Sequence, residues 1–355
     1  MENLKLNETP VRTSRNFNIN NAKLKDIEIP ESIEKFTNIQ IKNDSSKIEI
    51  LNLLDKNYKL IYGLGELLEN QVKESANQNY KIIVDSKTNK TVQICFKFDN
   101  KNMSLIDNIE IEAKENSKAT IILKYEGDID TEFYHNGIIR TFSKENSDIH
   151  IIIVNLLNTN SNNFISIENN LEENSKIKYT IVDFGGKNSI TNYYSNLVGE
   201  ASENILNTIY LGKENQFFDL NYIGELRGQK SNIDIDVQGA LKDSAKKNFK
   251  GTIDFKKGAK SSKGNENEFC MLLSDKAKSI ALPMLLCSEE DVEGNHSSSS
   301  GKAGEKELFY IMSRGFEYKE AMKLLVKANF NKILCDISDE ALREQILSEI
   351  DNRLK

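Results

Sequence analysis

Few residues in this chain could do chemistry, and their spacing limits what that chemistry is. Only three histidines and four cysteines occur in 355 residues. Cys95, Cys270, Cys287 and Cys335 lie far apart with no CxxC, which excludes an ordinary zinc finger and an autonomous ferredoxin. The N-terminus, MENLKLNETPVRT, lacks a basic-then-apolar signal pattern. The expected location is therefore cytoplasmic, with the cysteines as free thiols. Cys95 is expected to face outward, Cys287 to sit in the core, and Cys335 to be structural. His150 alternates with isoleucines and reads as a solvent-face strand residue, and His135, beside Asn136-Gly137, as a loop residue. His296 stands apart, in Asn295-His296-Ser297-Ser298-Ser299-Ser300-Gly301, a polar stretch before the first C-terminal helix. No GxxxxGK[ST], GxSxG or HExxH occurs. Gly63–Leu68 fails GxGxxG, and Asp183-Phe184-Gly185 lacks the rest of a kinase signature. Asp234 and Asp236 share strand parity and are the nearest approach to the paired carboxylates of a carbohydrate-active enzyme.

The elements that position these residues emerge from composition and from a repeat. Lys+Arg total 47 and Asp+Glu 54, a net charge of −7. That balance argues against a nucleic-acid binder working by bulk electrostatics. No run reaches the roughly 18 apolar residues of a membrane helix. A hydrophobic fraction of 38% and a mean hydropathy of −0.51 suit an elongated molecule with a thin core better than a sphere. Glu-Asn-Ser recurs at Glu115–Ser117, Glu145–Ser147 and Glu173–Ser175, and Asn89, Asn204, Asn232 and Gly258 extend the series at intervals of 26–30 residues. Five places after each register residue stand Ile94, Ile121, Ile151, Tyr179, Ile209 and Val237; seven places after stand Phe96, Leu123, Ile153, Ile181, Leu211 and Gly239. Polar residues lie between, which is the period-2 pattern of a half-buried strand opened by a residue that tolerates positive φ.

One such strand cannot bury its apolar side alone, so coils must stack. The repeat predicts a β-solenoid of two or three strands per coil. An antiparallel sandwich would need frequent tight-turn dipeptides, and NG occurs only at Asn136-Gly137. The expected organisation is a mixed or helical N-terminal cap over residues 1–77, a solenoid core over 78–301 and a helical domain over 302–355. The terminal segments are expected to cover the open sheet edges. Gly65–Ser75 reads as a helix, Gly315 as a C-cap and Ser338 as an N-cap, and Ala321, Leu324, Leu325 and Ala328 form an apolar stripe.

The stretch Met271–Phe330 resembles the C-terminal region of the SufB/SufD family, scaffold subunits of the SUF iron–sulfur cluster assembly machine. The resemblance rests on LLSDKA, a proline, an acidic-DV segment, a HxAxxG-like loop at His296–Gly301 and LFYIMSRG. Pro10–Asn20 is similar to the family's PxxTxxxxxxN segment. It implies a right-handed parallel β-helix with helical ends, and a non-enzymatic scaffold holding a transient iron–sulfur cluster shared with a partner. Aligned through Met271-Leu272-Leu273, the B-type cluster cysteine falls on Glu268, with Cys270 two residues later on the same strand face as a spatial substitute, so the resemblance makes Glu268 and Cys270 candidates, with His296, for the cluster-binding position. The missing cysteine and the short chain imply the D type, whose interface histidine falls on His296; Ser298 replaces the usual alanine. The resemblance further implies a SufB-type partner, a homodimer when isolated, and a SufC-type ABC ATPase docked on Leu308, Phe309, Tyr310, Met312, Arg314 and Gly315. Exposure of Phe309, Tyr310 or Phe316 would favour docking over a simple cap. The competing readings are a carbohydrate-active β-helix lyase or hydrolase and a purely structural solenoid.

Overall fold

A computed structural model describes residues 4–12, 19–25, 27–30, 33–52, 56–127 and 130–355. Residues 13–18, within the Pro10–Asn20 segment, lie outside the described set. Four short strands, β1 (Leu4–Leu6), β2 (Ala22–Leu24), β3 (Ile39–Asn43) and β4 (Ile48–Asn52), precede helix α1 (Glu66–Ser75). Longer strands then alternate between two nine-stranded sheets. The first stacks β6 (Lys90–Phe98), β8 (Lys118–Gly127), β10 (Asp148–Leu156), β12 (Lys176–Asp183), β14 (Glu203–Gly212), β16 (Asn232–Leu241), β18 (Ser262–Leu272) and β20 (Val292–Lys302) onto β3. The second stacks β5 (Gln78–Val84), β7 (Ser104–Ala113), β9 (Tyr134–Ser143), β11 (Asn162–Leu171), β13 (Asn188–Leu197), β15 (Phe217–Leu226), β17 (Lys246–Phe255) and β19 (Lys278–Cys287) onto β4. From β5 onward neighbours in each sheet pair in parallel, so each coil contributes two strands, one per sheet. Helices α2 (Glu305–Ser313), α3 (Tyr318–Leu334) and α4 (Glu340–Arg353) close the chain.

The turns explain the repeat. Asn116, Asn146 and Asn174 have φ of 58°, 57° and 51°, the left-handed conformation that asparagine tolerates better than most residues. Each amide donates to the next coil's turn, Asn116 to Glu145 O and Asn146 to Glu173 O. In two of these turns the following serine closes the turn through its hydroxyl, Ser147 on Lys144 O and Ser175 on Glu172 O. Later coils keep the serine and change the left-handed residue, which becomes Ala201 and then Lys230. The register at Asn204 and Asn232 is therefore corrected. Both lie inside strands, and Asn204 faces inward, where its amide donates to the Tyr193 hydroxyl. Ile209 and Leu211 consequently point outward, not into the coil interior.

Inside, strand register produces ladders. Ile121, Ile151, Tyr179, Leu206 and Ile235 stack as successive Cα partners, all fully buried. Each large aliphatic contributes roughly 1.5–3 kcal/mol on burial. Two further layers flank the sheets. Outward residues of the first sheet, including Ile152, Val182 and Ile209, pack against Phe330, Ile333 and Ile346 of α3 and α4. Leu6, Leu64, Leu68 and Val72 cover the second sheet at Ile106, Phe164 and Ile190. A strap at Asn7 fastens this cover. Its side chain donates to Asp219 Oδ1 at 2.7 Å and accepts from Asn192, and Lys250 Nζ donates to its carbonyl at 2.8 Å.

These positions correct the expected capping. β3 and β4 pair antiparallel with β6 and β5 and close the N-terminal coil. The C-terminal helices lie along the flank, so among the described residues no strand covers the outer edges of β19 and β20. Gly315 (φ 96°) follows the C-cap Arg314, Asp339 rather than Ser338 caps α4, and Leu324 is exposed.

Candidate functional site

The terminal coil keeps the backbone of the ladders and changes their chemistry. The column Leu206–Ile235 continues as Glu266 and His296, the column Thr208–Val237 as Glu268 and Ser298, and the column Tyr210–Gly239 as Cys270 and Ser300. Two carboxylates and a thiol thus occupy the next rung of these columns, all buried, beneath a row of polar residues on β20. His296, expected in a loop, belongs to strand β20; it is exposed and has no hydrogen-bond partner among the described residues.

Both Glu268 oxygens are engaged. Its Oε1 accepts from Lys247 Nζ at 2.6 Å and Tyr210 OH at 3.4 Å, and its Oε2 from Ser298 Oγ at 2.7 Å. The Lys247–Glu268 pair is wholly buried. Tyr210 reaches this level because position 239 is glycine; a Cβ there would lie 1.8 Å from the Tyr210 ring carbon Cζ. Cys270 is fully buried beside Tyr210 and Ser279, and burial raises its thiol pKa, disfavouring the thiolate. Glu266 is 2% exposed and neither of its oxygens has a hydrogen-bond partner among the described residues. Burial first, and the charge of Glu268 second, push its carboxyl up to about 8.

The other sequence candidates lie elsewhere. His135 is not a loop residue. It is buried in β9, with Nε2 2.8 Å from Asp107 Oδ1 and Nδ1 2.7 Å from Asn163 Oδ1. Asn136-Gly137 continues that strand and makes no hairpin. His150 is half-buried on the outer face against Thr180, with its pKa lowered to about 4 by burial and Lys178. Cys95 does face outward on its strand, but it is covered and held near Glu126, and burial pushes its thiol up to about 12. Cys287, expected in the core, is exposed at the end of β19; Cys335 is exposed at the C-cap of α3. Asp236 is closed by Lys332 Nζ at 2.6 Å and does not form an open pair with Asp234. Among the described residues no cluster of three or more His, Cys, Asp or Glu side chains is arranged to hold a metal ion. No helix among them is long and apolar enough to cross a membrane.

Helices α2 and α3 present a second feature. Phe309 is 75% exposed and Tyr310 59%, with Met312, Phe316 and Tyr318 exposed beside them, while Leu308 is buried. Arg314 donates to the Tyr310 hydroxyl at 3.1 Å, and Gly315 makes the turn between the helices. The sequence marks this hairpin. It does not reveal the buried Glu266 or the Lys247–Glu268 pair, although a Glu-x-Glu-x-Cys alternation in an isoleucine column is a readable signal once the register is fixed.

Comparison with known proteins gives a consistent result. The family described as SUF system FeS cluster assembly, SufBD core domain, matches residues 96–329, well over half the chain. Iron-sulfur cluster assembly protein SufD of Bacillus subtilis is 24% identical over 266 residues, 74% of this chain and 61% of that protein. An iron-sulfur cluster assembly SufBD family protein of Pyrococcus horikoshii is 33% identical over 174 residues, 48% of this chain and 38% of that protein. SufD of Escherichia coli is 25% identical over 114 residues, 32% of this chain and 27% of that protein. The matched regions span less than two thirds of each of these relatives. Parallel coils, a polar terminal rung and a matched core domain lead to one assignment: the chain belongs to the SufBD family of the SUF iron–sulfur cluster assembly system.

Proposed function

We propose that this chain is a D-type scaffold subunit for iron–sulfur cluster assembly, without catalysis of its own, working in the cytoplasm. It pairs through its bare terminal coil with a SufB-type subunit, and with a second copy of itself when isolated. The cluster is cargo, held transiently at that junction with His296 facing it. The observation that carries the reading is the C-terminal coil with no further strand on it among the described residues, whose inward columns carry Glu266, Glu268 and Cys270 and then His296, Ser298 and Ser300 where a partner would meet them. Imidazole is a minority ligand of iron–sulfur clusters, and a site completed across an interface suits a cluster that must leave.

The two bare edges are unequal. Lys278 and Ser288 donate their amides to the carbonyls of Ala245, just before β17, and Phe255, at its end, so residues of opposite parity on β19, including Pro283, face the free side. Proline has no amide to offer there, which blunts β19 for strand addition. β20 has no proline across eleven residues and is the better edge for a partner strand. The exposed hairpin of α2 and α3, with Phe309, Tyr310, Met312, Arg314 and Gly315 around buried Leu308, supports docking of a SufC-type ATPase.

The test is anaerobic co-expression with a SufB-type subunit and a SufC-type ATPase, followed by measurement of complex size, iron and sulfide. His296→Ala is expected to leave the complex intact and lower bound iron and sulfide. Normal iron and sulfide in that variant would reject the role of His296, and failure of the parent chain to join the complex would reject the scaffold reading.

A further inference from the structure

The inference here rests on the reading that the bare coil handles iron. Within that coil Glu266 is the group left unexplained. A buried polar group without partners is destabilising, and more so when charged, yet both Glu266 oxygens are unpartnered among the described residues. Glu268, two residues along the same strand face, provides an internal comparison, because its oxygens are occupied by Lys247, Tyr210 and Ser298. The space for the Glu266 carboxylate is provided by Gly251 on the facing strand, where a Cβ would lie 2.2 Å from Glu266 Cδ. Toward the open end, the next residues in the two facing columns are His296 and Pro283. Proline brings no amide hydrogen, and the imidazole is unpartnered within the described chain. Two unpartnered ligand-type side chains, one oxygen donor and one nitrogen donor, therefore follow each other in a single column at the solenoid mouth.

We propose that Glu266 is a second iron-binding group of this chain, acting with His296 on ferrous iron at the bare end. Carboxylate and imidazole are both suited to first-row divalent ions. A single carboxylate and a single imidazole leave most coordination positions open, so the site is incomplete in one chain and is finished by the partner subunit or by sulfide. Glu268 takes no part, because both its oxygens are already engaged inside the fold, one of them by the Lys247 ammonium.

The experiment uses the full chain in complex with its SufB-type and SufC-type partners, stripped with chelator and titrated anaerobically with ferrous iron. Glu266→Gln is expected to weaken ferrous binding at least tenfold (on the scale where 1.4 kcal/mol is about one decade) with complex size unchanged, and His296→Ala to weaken it comparably. If Glu266→Gln binds like the parent while His296→Ala does not, the proposal is overturned and the reading of His296 stands. If both bind like the parent, the iron reading of the bare coil falls as well. A second measurement needs no variant. Infrared difference spectra of the parent complex on ferrous addition must show a protonated-carboxyl band lost and a metal-bound carboxylate band gained, the proton leaving to solvent, and the absence of this pair overturns the proposal even if Glu266→Gln does not assemble.

Discussion

The sharpest consequence of the polar rung is a pH dependence of stability that one substitution should remove. Burial keeps the Glu266 carboxyl protonated up to about pH 8, against an ordinary value of 4.5. In the unfolded chain it ionises near the ordinary value. Between these limits the folded chain binds more protons than the unfolded one, so stability falls as pH rises. The favourable contribution is complete below about pH 4.5 and is lost as pH passes through about 8. At about 1.4 kcal/mol per unit, less the partial titration at both ends of the range, the decline between pH 5 and pH 8 is about 3.5 kcal/mol. Glu266→Gln keeps the shape and cannot ionise, so its stability relative to the parent should grow by about that amount over the same range. The facing groups Glu268, Lys247 and His296 are present in both proteins and largely cancel in the difference. The assay is urea unfolding of the metal-free chain at four pH values across this range. A parent-minus-variant difference that stays flat within about 0.5 kcal/mol would refute the argument that burial controls this carboxyl.

Three other outcomes are expected. Gly239→Ala places a methyl against the Tyr210 ring and should lower stability by about 1–3 kcal/mol, measured by denaturation; Tyr210→Ala in the same chain should relieve the clash. Asn146→Val, at φ 57°, should cost about 1–2 kcal/mol, whereas Asn146→Gly should change stability by only a few tenths; paired urea melts of the two variants check this. Phe309→Ala with Tyr310→Ala removes exposed rings and should leave the melting temperature unchanged while weakening retention of the ATPase on an affinity column; full retention would count against docking at this hairpin.

The solenoid is legible because its signal is periodic. Isoleucine at every second position, returning once per coil, is hard to produce except by stacked strands, and Glu-Asn-Ser marks a turn for a physical reason. Asparagine misleads in the later coils, where serine is the steadier sign. The hydroxyl that closes the turn persists at Ser202 and Ser231 after the left-handed residue has become Ala201 or Lys230. A slip of three residues at Asn204 changes strand parity, so the pattern places Ile209 inside when it lies beneath the helices. His135 reads as a loop residue because Asn-Gly is a strong local turn signal. Inside a stack, the side chains of Asp107 and Asn163 from neighbouring coils satisfy the ring, and tertiary contacts override the dipeptide. His296 stands out by motif, but its strand character is hidden by four serines that carry no hydrophobic alternation. At an edge that faces solvent or a partner, none is required. Glu266 and Lys247 give no such signal, since charge in a core column is invisible until a column is known to be core.

The strap at Asn7 has a mechanical consequence. Stacked-coil proteins whose repeats touch only their neighbours can fray from an end, one coil after another. Here a single residue near the start of the chain bonds to Asn192, Asp219 and Lys250 on three successive strands of the second sheet. Arg353, near the other terminus, donates to the carbonyls of Leu157 and Phe184 in adjacent coils of the opposite flank. The two chain ends thus act as clamps along the middle of the rod, joining coils that would otherwise loosen independently. Loss should be abrupt, with hydrogen exchange of the central amides occurring together, and the tip should remain ordered while it waits for whatever binds there.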